Sequence, residues 1–380
     1  MNQPVIVMAK RTAVGKVGGM LKNIPPEKLV SPLINTIIEQ GQICPTEIDD
    51  VILGNTVGPG GNLARLSALE AGLPVSVPGV TVDRQCGSGL EAINQAARLI
   101  QAGAGDIYLA GGVESTSLAP WKIEKPSSLY QPGGPHIFKR ARFSPEAIGD
   151  PEMGVAAENV ARKYDVTRDQ QDRYALNSHE KAVAAQRNGW FDEEIVSIHG
   201  AEKDECPRPT TTFEKLSALP PIFVENGTVT AGNACPINDG AALVLVMSEQ
   251  KCREYGLTPV LRFVDATAAG VDPNYLGIGP VPAVQKLLKR QSLSVAEIEI
   301  VEFNEAFASQ VIASLNEIGL KQEMVNCSGG ALALGHPYGA SGAILVTRLF
   351  TEMKRKQLKK GLATLGIGGG LGLATLFEGI

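Results

Sequence analysis

The chain has 380 residues, 44% of them hydrophobic and 20% charged, with a formal net charge of −5 and a pI near 5.6. This is the composition of a soluble globular protein of two or three domains, and the acidic balance argues against nucleic acid as the principal partner. No apolar run approaches the roughly 20 residues of a membrane helix, and the opening "MNQPVIVMAKRTAVGK" carries no leader pattern, so a cytoplasmic enzyme is the expectation.

In chain order, short runs rich in Val and Ile predict strands at 5–9, 51–54, 80–83, 107–111, 243–248, 299–303, 325–328, 362–367 and 373–378. Between them, apolar residues recur at helical spacing over 88–101, 305–318 and 340–353. That alternation implies an α/β protein with largely buried strands. Residues 119–235 break it: "WKIEKPSSLYQPGGPHIFKRARFSPEA" is rich in Pro, Lys and Arg, 167–187 is helical, and a second Pro-rich stretch follows. A segment this long between two strands of one core is expected to hold structure of its own and to be functional. The two halves also echo each other. Strand 51–54 runs into Asn55, and Cys86 follows before a Gly-rich helix start; strand 299–303 runs into Asn304, and His336 follows at nearly the same interval. The echo would bring Cys86 and His336 together at a pseudo-twofold seam.

Six cysteines (Cys44, Cys86, Cys206, Cys235, Cys252, Cys327) form no CxxC pair, so neither a zinc knuckle nor a disulfide framework is implied. Most are expected to be small buried residues. Cys86, in "VDRQCGSGLEA", is the exception. A sulfur where a strand turns into a helix meets free N–H groups and the positive end of the helix dipole, which favour the thiolate, and Gly87 and Gly89 would leave it open to attack. His336 is the one histidine in a glycine-rich turn, and its imidazole could activate a thiol or donate to an oxyanion; His136, His179 and His199 read as surface residues. Asn304, with Glu305 beside it, stands where a strand becomes a helix, which suits either an N-cap or an amide that positions water. A papain-like protease does not fit, because the order here is Cys, Asn, His and its local cysteine signature is missing. The glycines of "GIGGGLG" do not form a dinucleotide fingerprint, since no complete G-x-G-x-x-G starts there and no helix can follow.

Eight stretches, "VIVMAKRTAVGKVGG", "DRQCGSGLEA", "AGGVESTS", "TVTAGNACPINDGAA", "GIGPVPA", "NEAFA", "GGALALGHPYGASGA" and "GIGGGLG", resemble the thiolase family in family order over nearly the whole chain. The resemblance implies two similar layered α/β cores with an inserted loop domain. The units would be 1–118 and 241–265 for the first core, 119–240 for a CoA-binding loop domain, and 266–380 for the second core. It implies acyl transfer through Cys86, with His336 both activating the sulfur and sharing an oxyanion hole with a water held by Asn304. A second hole would use the backbone N–H groups of Cys86 and Gly368. Arg208 matches a position facing the nucleotide end of CoA; Met153, Ala306 and Phe307 match the pantetheine channel, and Cys235 stands where a pantetheine-contacting Ser is common. CoA and acyl-CoA enter as substrates, with no metal and no tightly bound cofactor. The resemblance further implies a homodimer or homotetramer acting in fatty acid metabolism.

Two departures stand out: Glu152 replaces a His found in some relatives, and Gly366 stands where the family resemblance calls for a second reactive cysteine. That cysteine would be the acid/base of carbon–carbon chemistry. Three readings follow: a thiolase with a substitute base (Cys235, Cys327 or His336), a thioesterase or transferase to another acceptor, or a catalytically weak CoA-ester binding protein.

Overall fold

The computed structural model describes residues 2–126, 128, 134–138 and 140–380. Ser127, residues 129–133 and Lys139 of the predicted insertion lie outside them. The principal strands are β1 (Pro4–Arg11), β2 (Asp50–Gly54), β3 (Gly79–Val82), β4 (Ile107–Ser115), β5 (Asn238–Ser248), β6 (Leu261–Gly270), β7 (Ile300–Phe303), β8 (Lys360–Ile367) and β9 (Leu371–Gly379). With the two-residue strand Gly15–Lys16 they form a ten-stranded sheet in the order β7-β8-β9-β6-β1-β5-β4-β2-β3.

The halves of this sheet meet where β1 pairs β6 through Val5–Arg262 and Ile6–Leu261. On each side of that seam the pattern repeats. β2 runs parallel to β4, which is antiparallel to β5, which is antiparallel to β1. Likewise β7 runs parallel to β8, which is antiparallel to β9, which is antiparallel to β6. The echo in the sequence is thus an echo in topology.

Both faces of the sheet are covered. On β5, Ala242, Val244 and Val246 pack in one core with Leu90, Ile93, Ala343 and Val346 of the helices Ser88–Ala102 and Tyr338–Lys356. The alternate residues Leu243, Leu245 and Met247 pack with Leu33 and Ile37 of the helix Pro26–Gly41. On the other half, Ala363, Leu365 and Ile367 of β8 join the first of these cores, so the two helices form a middle layer shared by both halves. Burial on two faces is why these strands read as continuous apolar runs. Strand β6, "LRFVDATAAG", escaped that signal because it carries charge. Asp265 is held there by Arg290 at 2.5 Å and by Arg98, in pairings the local sequence does not reveal.

The strand predicted at 325–328 is not formed. Val325 makes a single parallel bridge to Val301, after which Asn326 turns to φ 46°. Its side-chain amide then completes the ladder, accepting from Phe303 N–H and donating to Phe303 O, both at 2.8 Å.

Residues 116–237 lie between the adjacent antiparallel strands β4 and β5 and carry the helices Met153–Lys163 and Arg168–Arg187. The second of these starts in a capping box, Thr167 with Gln170. Buried ion pairs hold the segment to the core. Glu194 meets Arg11 of β1 at 2.7 Å and also Arg348, and Asp204 meets Arg11 at 2.6 Å.

Candidate active site

The N-termini of the two middle-layer helices touch. A Cβ on Gly89 would stand 2.7 Å from Gly339 O and 2.9 Å from Ala343 N, so glycine is what lets the helices close to this distance. Openness at the sulfur is therefore not what Gly89 supplies; its room is taken by the second helix. Cys86 itself precedes the helix, after Gln85 at φ 49°.

Burial pushes the Cys86 thiol up to about 12, against the backbone N–H groups of Gly368 and Cys86, which favour the anion. The helix end was expected to favour the thiolate, but in this site desolvation outweighs it, and the sulfur needs a base. The N–H groups of Cys86 and Gly368 both lie close enough to the sulfur to favour its anion.

His336 is buried, and burial lowers its imidazole to about 4, so it is neutral near pH 7. Its backbone N–H donates to Asn238 Oδ1 at 2.9 Å. The preceding Gly335 has φ 111°, and a Cβ there would press on the same Asn238 amide. Nδ1 lies 2.6 Å from Ser341 Oγ, whose hydroxyl donates to Pro337 O at 3.0 Å. With that hydrogen committed, the network assigns the imidazole hydrogen to Nδ1, leaving a lone pair on Nε2. Asn304 Nδ2 lies 3.4 Å from Nε2. Asn304 is not an N-cap, because the helix begins later, at Ala308, behind Phe307. Its neighbour Glu305 is structural, accepting from Tyr174 at 3.0 Å, Ser178 at 2.7 Å and Asn326 at 2.6 Å.

Two sequence-selected residues, Ala306 and Phe307, lie against the Ala234–Cys235 backbone. The Cys235 N–H donates to Ala306 O at 2.9 Å, and Ala234 bridges Phe307. The Phe307 ring stands edge-on to Phe223 at 6.1 Å, and Phe223 lies where a Cβ on Gly154, next to Met153, would fall. Cys235 also stands close enough to Cys86 to feel the charge of a Cys86 thiolate. Burial raises the Cys235 thiol first, and a Cys86 anion raises it further. Arg208 is exposed, and its backbone N–H donates to His179 Nδ1 at 3.3 Å. His179 is not the surface residue expected: burial lowers it to about 4, and Arg208 lowers it further. Cys327 donates to Glu323 O at 3.7 Å, away from these groups.

Gly366 lies on β8 between Leu365 and Ile367, which face the middle layer. The atoms nearest to a Cβ there are Gln310 Nε2 at 2.8 Å, Gly277 O at 3.4 Å and Leu276 O at 3.5 Å. Sequence reasoning missed Ser341, Tyr338, Phe143 and Phe223. The Tyr338 ring meets His336 edge-on at 5.1 Å, and its hydroxyl is raised by burial and by the nearby thiols. Phe143 covers Gly368 in a pocket of about 490 Å³ also lined by Arg84, Gln85 and Arg142. Ser341, in the first turn of the helix that follows His336, carried the one usable signal, a hydroxyl placed to return to the ring.

Among the described residues, no helix is long and apolar enough to cross a membrane. The family profile of the thiolase N-terminal domain matches residues 4–250, and that of the thiolase C-terminal domain matches 257–379. A Staphylococcus epidermidis protein with the provisional name acetyl-CoA C-acetyltransferase VraB is 53% identical over 100% of this chain and 99% of its own. The crystal structure of the Bacillus anthracis acetyl-CoA acetyltransferase superposes with a TM-score of 0.94 at 40% identity, covering 100% of this chain and 99% of that one. Human mitochondrial 3-ketoacyl-CoA thiolase in complex with CoA superposes with a TM-score of 0.94 at 35% identity, covering 100% and 98%. A thiol, an imidazole and an amide set on the repeated halves of one sheet, with matches across both domains, place this chain in the thiolase family of acyltransferases.

Proposed function

We propose that the protein makes or cleaves a carbon–carbon bond between acyl units carried on CoA, through an acyl-Cys86 intermediate, as an acetyl-CoA C-acetyltransferase. The observation that carries this reading is the Asn304–His336–Ser341 row, which puts the ring hydrogen on Nδ1 and leaves Nε2 as the acceptor, 3.4 Å from the Asn304 amide. His336 Nε2 takes the proton of Cys86, and the sulfur attacks the thioester carbonyl. The tetrahedral oxyanion is held by N–H donors, and the CoA thiolate leaves.

Cys235 supplies the second acid/base in this scheme, in place of the group absent at Gly366. Its thiol gives a proton to departing CoA. The resulting thiolate removes the α-proton of a second acetyl-CoA, and that carbanion attacks acyl-Cys86. The Cys86 thiolate is expelled and recovers its proton from His336. What supports Cys235 over Cys327 is its electrostatic contact with Cys86; Cys235 would also line the pantetheine channel with Met153, Ala306 and Phe307, while Arg208 meets the nucleotide. We carry the division into 1–118, 119–240, 241–265 and 266–380, the homodimer or homotetramer, the cytoplasm and a role in fatty acid metabolism as parts of the same proposal. Glycine at 366 favours one second reading, in which acyl-Cys86 is hydrolysed or passed to another acceptor.

Radiolabelled acetyl-CoA tests the first half-reaction: the label is expected on the wild type and absent from Cys86→Ala, and an unlabelled wild type overturns acyl transfer. Acetoacetyl-CoA cleavage tests the second. Cys235→Ser is expected to retain labelling and to lose about 10²-fold in turnover, the lower range for a general acid/base group. Equal turnover refutes the substitution. Gly366→Cys, which requires Gln310 to move aside, is expected to raise cleavage if the missing sulfur limits it; unchanged hydrolysis of acyl-Cys86 favours the second reading.

A further inference from the structure

Behind the row that holds His336 lies a cavity of about 20 Å³, lined by Asn304, Ser341, Gly335, Glu302 and Arg348. A single water needs roughly 10–15 Å³ and two or more polar partners, so this cavity of about 20 Å³ has room for one. The partners are there. Glu302 Oε1 and Arg348 Nε are buried and make no hydrogen bond within the protein, one an acceptor and the other a donor. Glu302 is 2% exposed and Arg348 1%. Arg348 has already committed its other nitrogens, to Glu194 and, at 3.0 Å, to Glu352, so an unmade bond at Nε is not the result of a loosely placed side chain. Two complementary orphans facing one small cavity are each costly to leave unpaired, and one water satisfies both.

We propose that a buried water accepts from Arg348 Nε and donates to Glu302, and that its second hydrogen reaches the Asn304–Ser341 side of the cavity. Glu302 is thereby a positioning residue for His336. It touches no substrate and acts through the water on the two side chains that hold the imidazole. The charged groups facing Glu302 are Arg348, which favours its anion, and Glu352, Glu305 and Glu194, which oppose it. Burial is the largest influence and moves the carboxyl up to about 8, leaving it neutral at pH 7. Above that pH it becomes an anion on the far side of the row. A negative charge there makes the imidazole a stronger base, so removal of the Cys86 proton becomes easier as Glu302 ionises.

This inference rests on His336 serving as the base for Cys86, and it is tested without any acyl-CoA. The rate of Cys86 alkylation by iodoacetamide is measured from pH 6.5 to 9.5 in the wild type, Glu302→Gln and His336→Gln. The ratio of wild type to Glu302→Gln is expected to climb roughly fivefold across pH 8, since the amide cannot ionise. A ratio that is constant with pH overturns the proposal, whatever its size, because a purely packing role would shift all pH values alike. If His336→Gln leaves the alkylation rate unaltered, the fault lies instead in the assignment of the base. A crystal structure supplies the second measurement: density for a water within hydrogen-bond distance of Glu302 Oε1 and Arg348 Nε is expected, and a dry cavity overturns the inference even if Glu302→Gln folds poorly.

Discussion

The repeated halves of the sheet each end a parallel strand in asparagine, and the two asparagines are used differently. Asn55, after β2, has both amide hydrogens engaged: its Nδ2 donates to Val113 O at 2.9 Å and to Glu114 at 2.8 Å. Glu114 in turn accepts from the Thr56, Val57 and Gly339 N–H groups, which fastens the first half to the start of the Tyr338–Lys356 helix. Asn304, after β7, has its amide left over for the His336 imidazole. The scaffold work is done in that half by Asn326 and Glu305. One half therefore uses its asparagine to hold the scaffold, and the other turns its asparagine to the imidazole that we propose as the base.

Substitutions along this contrast should separate activity from stability. His336→Gln is expected to have the largest effect, slowing Cys86 acylation by about 10²–10⁴-fold, the range for loss of a general base, as read by single-turnover labelling. Asn304→Ala should follow, with turnover down by about 10²–10³ as for a lost oxyanion donor and the unfolding midpoint nearly unmoved. Its counterpart Asn55→Ala should do the reverse, costing about 1–3 kcal/mol by leaving Val113 O and Glu114 short of a donor, with near-normal turnover per folded molecule. If Asn55→Ala and Asn304→Ala change both quantities alike, the division of labour is wrong.

The smallest effect is a matter of pH. His179 is held neutral by burial, at about 4 against an ordinary value near 6.5. The unfolded chain therefore binds the extra proton over that window, and stability falls as pH drops from about 6.5 to 4. His179→Asn keeps an acceptor for the Arg208 N–H but removes the titration. The gap in denaturation midpoint between the two proteins is expected to shift in favour of the variant on acidification; a gap independent of pH refutes the assignment.

Eight of the nine strands expected from Val- and Ile-rich runs form, because burial on both faces leaves a mark that needs no knowledge of partners. The ninth, at 325–328, and the unexpected β6 show where that mark ends. A side-chain amide took over the ladder in one place, and a charged residue paired from afar hid the strand in the other. Cys86 and Asn304 were legible as residue types where a strand gives way to a helix, His336 as the one histidine in a glycine-rich turn, and Gly366 as a departure from the family pattern. By itself, then, the sequence determined the alternation of elements, the large insertion and the kind of chemistry. Only the tertiary structure decided the protonation state of Cys86, the tautomer of His336 held by Ser341, the approach of Cys235 and the unpaired Glu302 and Arg348. Strand and helix periods are written in neighbouring residues, whereas desolvation and hydrogen-bond satisfaction depend on groups brought together from across the chain.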